Sequence, residues 1–380
     1  MYLLPLWAST FLVTSVVAKQ CQNFSVPVTL CARNGIFNVP TLRDNHDASL
    51  FFANVTNPRG NFSNEVLLGY RTIDNTYDIS VRFCRPDAGY GRDPTVQFLT
   101  HGIGFDKSYW DLPFKSYNYS YIDVAVDQYG FSTLSVDRLG IGNSSIADPL
   151  NIVQLPAELS AIYELTNMLR RGCLPNVPRA FSKIVHVGHS LGSILTYNLA
   201  AMHPTASDGL ILTAFSLDSA FIGATFDAWA SKLARNNQPK RFGHLPTGYL
   251  TWANASSNEK TFLDPGFFDP AILPFSEATK EPFTTGEVLT LSGSPSTAPA
   301  FKGPVQVLDG NQDFIFCGGD CSPASDAATI PGAVAAAFPA ARAFDAYIQP
   351  NTGHGINLHY NATNAYRVAQ EFLIAHGLGP

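Results

Sequence analysis

The 380-residue chain is poor in charge: Asp, Glu, Lys and Arg make up 14% of it against 46% hydrophobic residues, and 24 Lys and Arg against 30 Asp and Glu leave a net charge of −6. It has no cluster of basic residues able to track a phosphate backbone, which argues against nucleic acid as a partner. Beyond residue 18 no apolar run approaches the ~18 residues that a membrane-crossing helix requires. Internal repeats are absent, and low complexity is confined to Ser292 to Pro299. The cysteine spacings do not suit a zinc site, and no heme, flavin, nucleotide or metal motif occurs, so no cofactor is expected.

What is present points to export. Met1 to Ala18 is almost wholly apolar and ends in Val16-Val17-Ala18, the small-residue pattern of a cleaved signal peptide. The segment lacks Lys and Arg, so a retained anchor is the alternative. All six cysteines, Cys21, Cys31, Cys84, Cys173, Cys317 and Cys321, follow the cleavage site, an even set suited to three disulfides in an oxidising compartment. Seven Asn-x-Ser/Thr sequons begin at Asn23, Asn54, Asn61, Asn118, Asn143, Asn254 and Asn361. These features predict a glycoprotein that is secreted, or delivered to a vacuole.

Residues 19–64 are rich in Asn, Pro and Thr without a sustained period and read as an irregular arm. Val66 to Thr72 and Tyr77 to Phe83, separated by Asp74-Asn75, read as an antiparallel hairpin. Short apolar runs then alternate with helical stretches, which implies a mostly parallel sheet. The strands expected are Thr95 to Thr100, Ser132 to Val136, Lys183 to Val187, Gly209 to Ala214, Val305 to Leu308 and Ala343 to Ile348. Tyr121 to Tyr129, Leu155 to Arg171, Leu191 to Met202, Gly332 to Phe338 and Asn364 to His376 read as helices. A core of residues 65–216 and 301–380 is thus interrupted by 217–300, a stretch too long for a structureless loop and expected to be a small helical lid.

The densest chemical signal is Val185-His186-Val187-Gly188-His189-Ser190-Leu191-Gly192. A β-branched run feeds Gly-x-Ser-x-Gly and then a helix, a context in which the turn lifts a serine hydroxyl above the sheet. A serine needs a base, and the base an orienting acid. His354, in Gly353-His354-Gly355 after the last strand, is the expected base, with His359 as the alternative. Asp313, in the loop after Val305 to Leu308, is the expected acid, with Asp218 as the rival. The oxyanion formed when Ser190 attacks a carbonyl needs backbone donors. The Leu191 N–H supplies one at the helix start, and the Ile103 N–H in Thr100-His101-Gly102-Ile103-Gly104 is assigned as the second.

Taken in order, His101-Gly102, Asp137-Arg138-Leu139-Gly140-Ile141-Gly142-Asn143-Ser144, Gly188 to Gly192, Gly310-x-x-Asp313 and Gly353-His354-Gly355 resemble the α/β-hydrolase superfamily over roughly Glu65 to His376. The resemblance implies an α/β-hydrolase fold: a mostly parallel eight-stranded sheet flanked by helices, with the lid inserted between strands six and seven. Relatives that cleave epoxides or haloalkanes carry Asp at the elbow, and Ser190 directs the expectation to acyl transfer instead. The predicted activity is therefore hydrolysis of a carboxylic ester or lactone. A peptidase or amidase with the same triad and a natural-product tailoring hydrolase are alternatives, and a non-catalytic binding scaffold is the reading from another class. Phe221, Phe226, Trp229, Phe262, Phe267 and Phe268 suggest an apolar small-molecule ester, or simply the lid's own core. Ranking the fifteen possible cysteine pairings by proximity gives Cys317–Cys321 and Cys21–Cys31, which leaves Cys84–Cys173.

Overall fold

The computed structural model describes residues 19–87, 95–115, 118–177, 179–322 and 329–380. The expected leader, residues 1–18, lies outside them. Among the described residues no helix is long and apolar enough to cross a membrane. In chain order the strands are β1 (Gln20–Thr29), β2 (Ala32–Phe37), β3 (Leu67–Ile73), β4 (Thr76–Arg85), β5 (Thr95–Thr100), β6 (Ser132–Val136), β7 (Lys183–His189), β8 (Gly209–Thr213), β9 (Lys232–Leu233), β10 (Tyr249–Thr251), β11 (Phe283–Thr284), β12 (Pro304–Gly310) and β13 (Ala343–Gln349).

Eight of these strands form the main sheet, in the order β1-β4-β6-β5-β7-β8-β12-β13. β4 runs antiparallel to both of its neighbours, and every other pairing in the sheet is parallel. Val96, Phe98 and Leu99 of β5, Ile184, Val185 and Val187 of β7 and Leu210, Ile211 and Leu212 of β8 are fully buried. Burial on both faces is what makes such strands read as continuous apolar runs. The helix Leu155–Arg171 starts with Pro156 in its first turn and stops at Gly172, whose φ of 67° is the left-handed conformation that ends many helices. The helices Leu191–Met202 and Ala362–Ala375 complete the packing, against β7 and β12 respectively.

The start of the chain differs from the sequence expectation. β3 and β4 do not pair with each other. β1 pairs with β4 from Gln20 opposite Arg85 to Thr29 opposite Thr76, and β2 pairs with β3 from Ala32 opposite Ile73. The carbonyl of Asn75, expected in a hairpin turn, accepts from the Leu30 N–H at 2.9 Å. Residues 20–37 and 67–85 thus form one long ribbon, and the expected irregular arm is mostly ordered. Its period-two signal was Val26, Val28, Leu30 and Ala32, all buried and alternating with exposed neighbours. The exposed Pro27, Thr29 and Cys31 between them obscured it. The loop of the ribbon carries the helix Asn45–Val55, whose first turn is capped by Asp44 accepting from the His46 and Asp47 amides.

Two of the expected disulfides are corrected. Cys21 bonds to Cys84, its direct opposite across β1 and β4, and Cys317 bonds to Cys321 as expected. Cys31 and Cys173 are free and exposed. Proximity in sequence misled because an extended strand separates Cys21 from Cys31 by roughly 3.3 Å per residue, far beyond disulfide reach. Of the sequon asparagines, six are exposed, whereas Asn361 is half-buried. The Asn361 side chain donates to Pro350 O at 2.5 Å and accepts from Thr352 Oγ1 at 3.0 Å.

The segment between β8 and β12 holds several short helices, among them Ile222–Trp229, Ala255–Phe262, Ile272–Thr279 and Thr285–Thr290, together with a three-stranded sheet of order β11-β10-β9. The helix Asn45–Val55 packs on this insertion. The Phe52 ring lies 5.2 Å from Phe226 and 6.4 Å from Phe283, and Asn45 Oδ1 accepts from the Leu233 N–H at 3.0 Å.

Candidate active site

Ser190 stands between the end of β7 and the helix Leu191–Met202 with φ 54° and ψ −118°, a strained backbone for a residue with a side chain. Crowding explains the flanking glycines. A Cβ at Gly188 would lie 2.5 Å from the Ser193 Cα, and one at Gly192 would lie 2.1 Å from the Thr100 carbonyl oxygen. The turn is held by the Ser190 N–H, which donates to Thr213 O at 3.0 Å. Ser190 itself is 8% exposed.

Asp313 and His354 are brought together from the loops after β12 and β13, both fully buried, with His354 Nδ1 2.6 Å from Asp313 Oδ2. The other Asp313 oxygen accepts from the Phe316 N–H at 2.9 Å. Burial alone would raise the Asp313 carboxyl, but the His354 contact and the neighbouring Asp309 outweigh it and hold it below the usual range. Nε2 of His354 is buried and has no hydrogen-bond partner among the described residues. The His354 ring lies 5.2 Å from that of His189, the residue before Ser190. The rival positions have other duties. Asp218 sits in an exposed turn, accepting from the Ala220 N–H at 2.8 Å. His359 Nε2 accepts from the Asp264 and Gly353 amides at 2.9 and 3.1 Å, while Nδ1 faces Gly355 O at 3.0 Å. Burial lowers the His359 pKa to about 4, so it is a neutral pin between the insertion and the His354 loop.

The loop after β5 abuts the serine: a Cβ on Gly102 would fall 2.8 Å from Ser190 Cβ. His101 shapes this loop. Its Nε2 accepts from the Arg138 N–H at 3.0 Å, so Nδ1 carries the proton and donates to Gly102 O at 2.9 Å. Burial, reinforced by the Arg138 charge, holds the His101 pKa well below the ordinary imidazole value. In a trans peptide the carbonyl and the next N–H point in opposite directions, so anchoring Gly102 O to the imidazole turns the Ile103 N–H away from it. Leu191 is the first residue of its helix, and its amide therefore has no intrahelical acceptor. Behind the loop Arg138 is buried between Glu158, at 2.7 Å, and Glu287 of the insertion.

Several residues of the site carried no clear sequence signal. Asp309, fully buried, lies beside Asp313; burial and the adjacent Asp313 carboxylate push its pKa well above the ordinary aspartate value. Its carboxyl is within 4.8 Å of the Cys317 and Cys321 sulfurs, which are engaged in the disulfide and offer no metal ligand. Phe262 and Phe316 stand 5.6 and 5.7 Å from the His354 ring, and Tyr109 stacks on His189 at 4.2 Å. Phe262 also accepts from the Gly355 N–H through its carbonyl at 2.7 Å. These contacts join residues far apart in the chain, and only the aromatic richness of the insertion hinted at them.

With this geometry in view, comparison with known proteins is specific about family. The alpha/beta hydrolase family profile matches residues 98–366, and the chain belongs to that family. No curated protein matches it significantly. Among solved structures it is similar to a thermophilic esterase from Thermogutta terrifontis, with TM-score 0.50 and 17% identity over 79% of this chain and 95% of that one. A carboxylesterase structure from the thaumarchaeon Nitrososphaera gargenis gives TM-score 0.52 and 15% identity over 80% and 96% of the two chains. A hydrolase from Pseudomonas aeruginosa gives TM-score 0.50 and 16% identity over 79% and 94%. At such identities the likeness establishes the fold.

Proposed function

We propose that the chain is a secreted, glycosylated serine hydrolase that cleaves a carboxylic ester or lactone of apolar character through an acyl-enzyme on Ser190. The observation that carries this reading is the buried Asp313–His354 pair, whose Nε2 is left without a partner beside the strained Ser190 turn. Attack requires Ser190 Oγ to reach that nitrogen, a contact that often tightens only when substrate is bound. His354 Nε2 takes the hydroxyl proton as Oγ bonds to the carbonyl carbon. Asp313 accepts from Nδ1–H and stabilises the imidazolium. The carbonyl electron pair moves to oxygen, where the Ile103 and Leu191 N–H groups receive it. Collapse of the tetrahedral species breaks the C–O bond, His354 returns the proton to the leaving alcohol, and water repeats the cycle to release the acid.

Ester chemistry is supported by the esterase and carboxylesterase among the similar structures, and apolar preference by Phe262 and Phe316 around His354. Export is supported by the apolar leader, the sequons and two disulfides. The test is fluorophosphonate labelling of secreted wild type and Ser190→Ala, with hydrolysis of p-nitrophenyl esters of increasing chain length. Labelling and turnover that both vanish in Ser190→Ala are expected, with longer apolar acyl groups preferred. Folded wild-type protein that takes no label and turns over no ester would overturn the reading.

A further inference from the structure

We infer that the insertion completes the oxyanion site, with Trp252 as a positioning residue that holds the loop carrying the Ile103 N–H. The inference rests on the Ser190 reading and extends it to a residue more than sixty positions further along the chain.

Gly104, directly after Ile103, has φ 81°, and a Cβ placed on it would fall 2.0 Å from Cζ3 and 2.4 Å from Cη2 of Trp252. The indole therefore lies flush against the Gly104 backbone. The Glu281 N–H, also of the insertion, donates to Gly104 O at 2.9 Å. The insertion thus fixes the residue after Ile103 by a ring and by a hydrogen bond. His101 fixes the residue before it through Gly102 O. An amide clamped at both neighbours has one direction in which to point, which is the preorganisation an oxyanion donor needs.

Trp252 is in turn fixed at both ends. Its indole N–H donates to Glu277 Oε2 at 2.8 Å, and its carbonyl accepts from Lys280 Nζ at 3.0 Å. Lys280 is ion-paired with Glu277, and the lysine side chain is fully buried. A buried ion pair gains little stability over apolar residues of the same volume, because desolvation offsets the attraction. Its consequence here is orientation: the pair holds one rotamer of a large ring against a glycine that only a left-handed backbone allows.

The experiment compares kcat and KM for p-nitrophenyl acetate, whose acyl group is too small to report on a chain pocket. Each protein is normalised to Ser190 sites titrated by fluorophosphonate. For Trp252→Ala kcat is expected to fall roughly 100-fold, the scale of losing one oxyanion donor, with KM within about threefold of wild type. Trp252→Phe, which keeps a ring against Gly104, is expected to recover most of that loss. A second variant guards against misfolding: Glu277→Leu with Lys280→Met keeps the volume and frees the ring, and kcat is expected to fall roughly tenfold with KM unchanged. Unchanged kcat per titrated site in these variants, or a rise confined to KM, would overturn the inference, the latter by making Trp252 a substrate wall. Wild type that is not labelled at all would instead defeat the Ser190 reading itself.

Discussion

The edge of the main sheet and the cap above it are built on opposite principles. At the sheet edge each chemical group sits in a short loop directly after a strand, so Ser190, Asp313 and His354 are placed by local sequence: glycines where a Cβ cannot fit, strands of β-branched residues, a helix start. The cap is assembled from the helix Asn45–Val55 and the insertion, and its contacts span up to 231 residues of chain, from Phe52 to Phe283. Its aromatic rings run from Phe52 through Phe226, Trp229 and Phe262 to His354. Chemistry is specified locally and enclosure non-locally, so changes in the two regions should separate activity from stability.

The sharpest separation is expected for Ser190→Ala. Turnover should drop by roughly 10⁴-fold or more, the usual consequence of losing a triad member. The same substitution removes one oxygen from a residue already in place and should leave the urea midpoint almost unchanged. A large loss of stability would show that the elbow serves the fold as much as the chemistry.

Legibility follows the same division. β5 and β6 and the helices Leu155–Arg171 and Leu191–Met202 fall at the residues read from sequence, because their apolar periods are complete within one element. The pairing of β1 with β4 was hidden, since a strand's partner is not encoded in its own period and the Asp74-Asn75 turn signal suggested a neighbour instead. For the site, the strand-Ser-helix context and the Gly-flanked His354 were visible. The duty of His359 was not, because what decides it is an amide of Asp264, ninety-five residues away. The role of Trp252 likewise rests on contacts with Gly104, Glu277 and Lys280 that no local period encodes.

The seam between the two regions should be the acid-labile part of the molecule. Four histidines are buried there or in the sheet with lowered pKa: His186 to about 3, His359 to about 4, and His101 and His189 well below the ordinary imidazole value, burial being the main cause in each. For a base whose folded pKa is depressed, the unfolded chain binds more protons as pH falls. Their contribution is therefore fully present above pH ~6.5 and is lost progressively as pH falls below that, for His359 down to about 4 and for His186 down to about 3. Urea unfolding at pH 7.5, 6 and 5 should show stability falling steadily. His359→Gln, which cannot become charged at the Asp264–Gly353 junction, should flatten part of that fall. A pH-independent midpoint across this range would remove the seam as the weak point.

Within the cap, Phe52→Ala tests whether the helix Asn45–Val55 braces the insertion. Phe52 is buried against Phe226 and Phe283, and its truncation should cost about 3 kcal/mol or somewhat more in urea unfolding. Because the cost falls on the cap, protease cleavage should appear first within residues 217–300. Cleavage that begins in the main sheet would break the comparison by making the two regions one cooperative unit.

The smallest effect is expected at the two cysteines left without a disulfide. Cys31 and Cys173 are exposed and free, so Cys31→Ser and Cys173→Ser should each shift stability by no more than about 0.5 kcal/mol. Cys84→Ser opens the link between β1 and β4 and should cost about 2–4 kcal/mol. The contrast between Cys84→Ser and Cys173→Ser is decisive, because a bond between those two residues would make their effects equal. Alkylation of the unreduced, unfolded protein followed by peptide mass spectrometry should find label on Cys31 and Cys173 alone among the six cysteines. Label on Cys21 would dissolve the ribbon's covalent link and leave the first strand held at the edge of the sheet by its pairing with β4 alone.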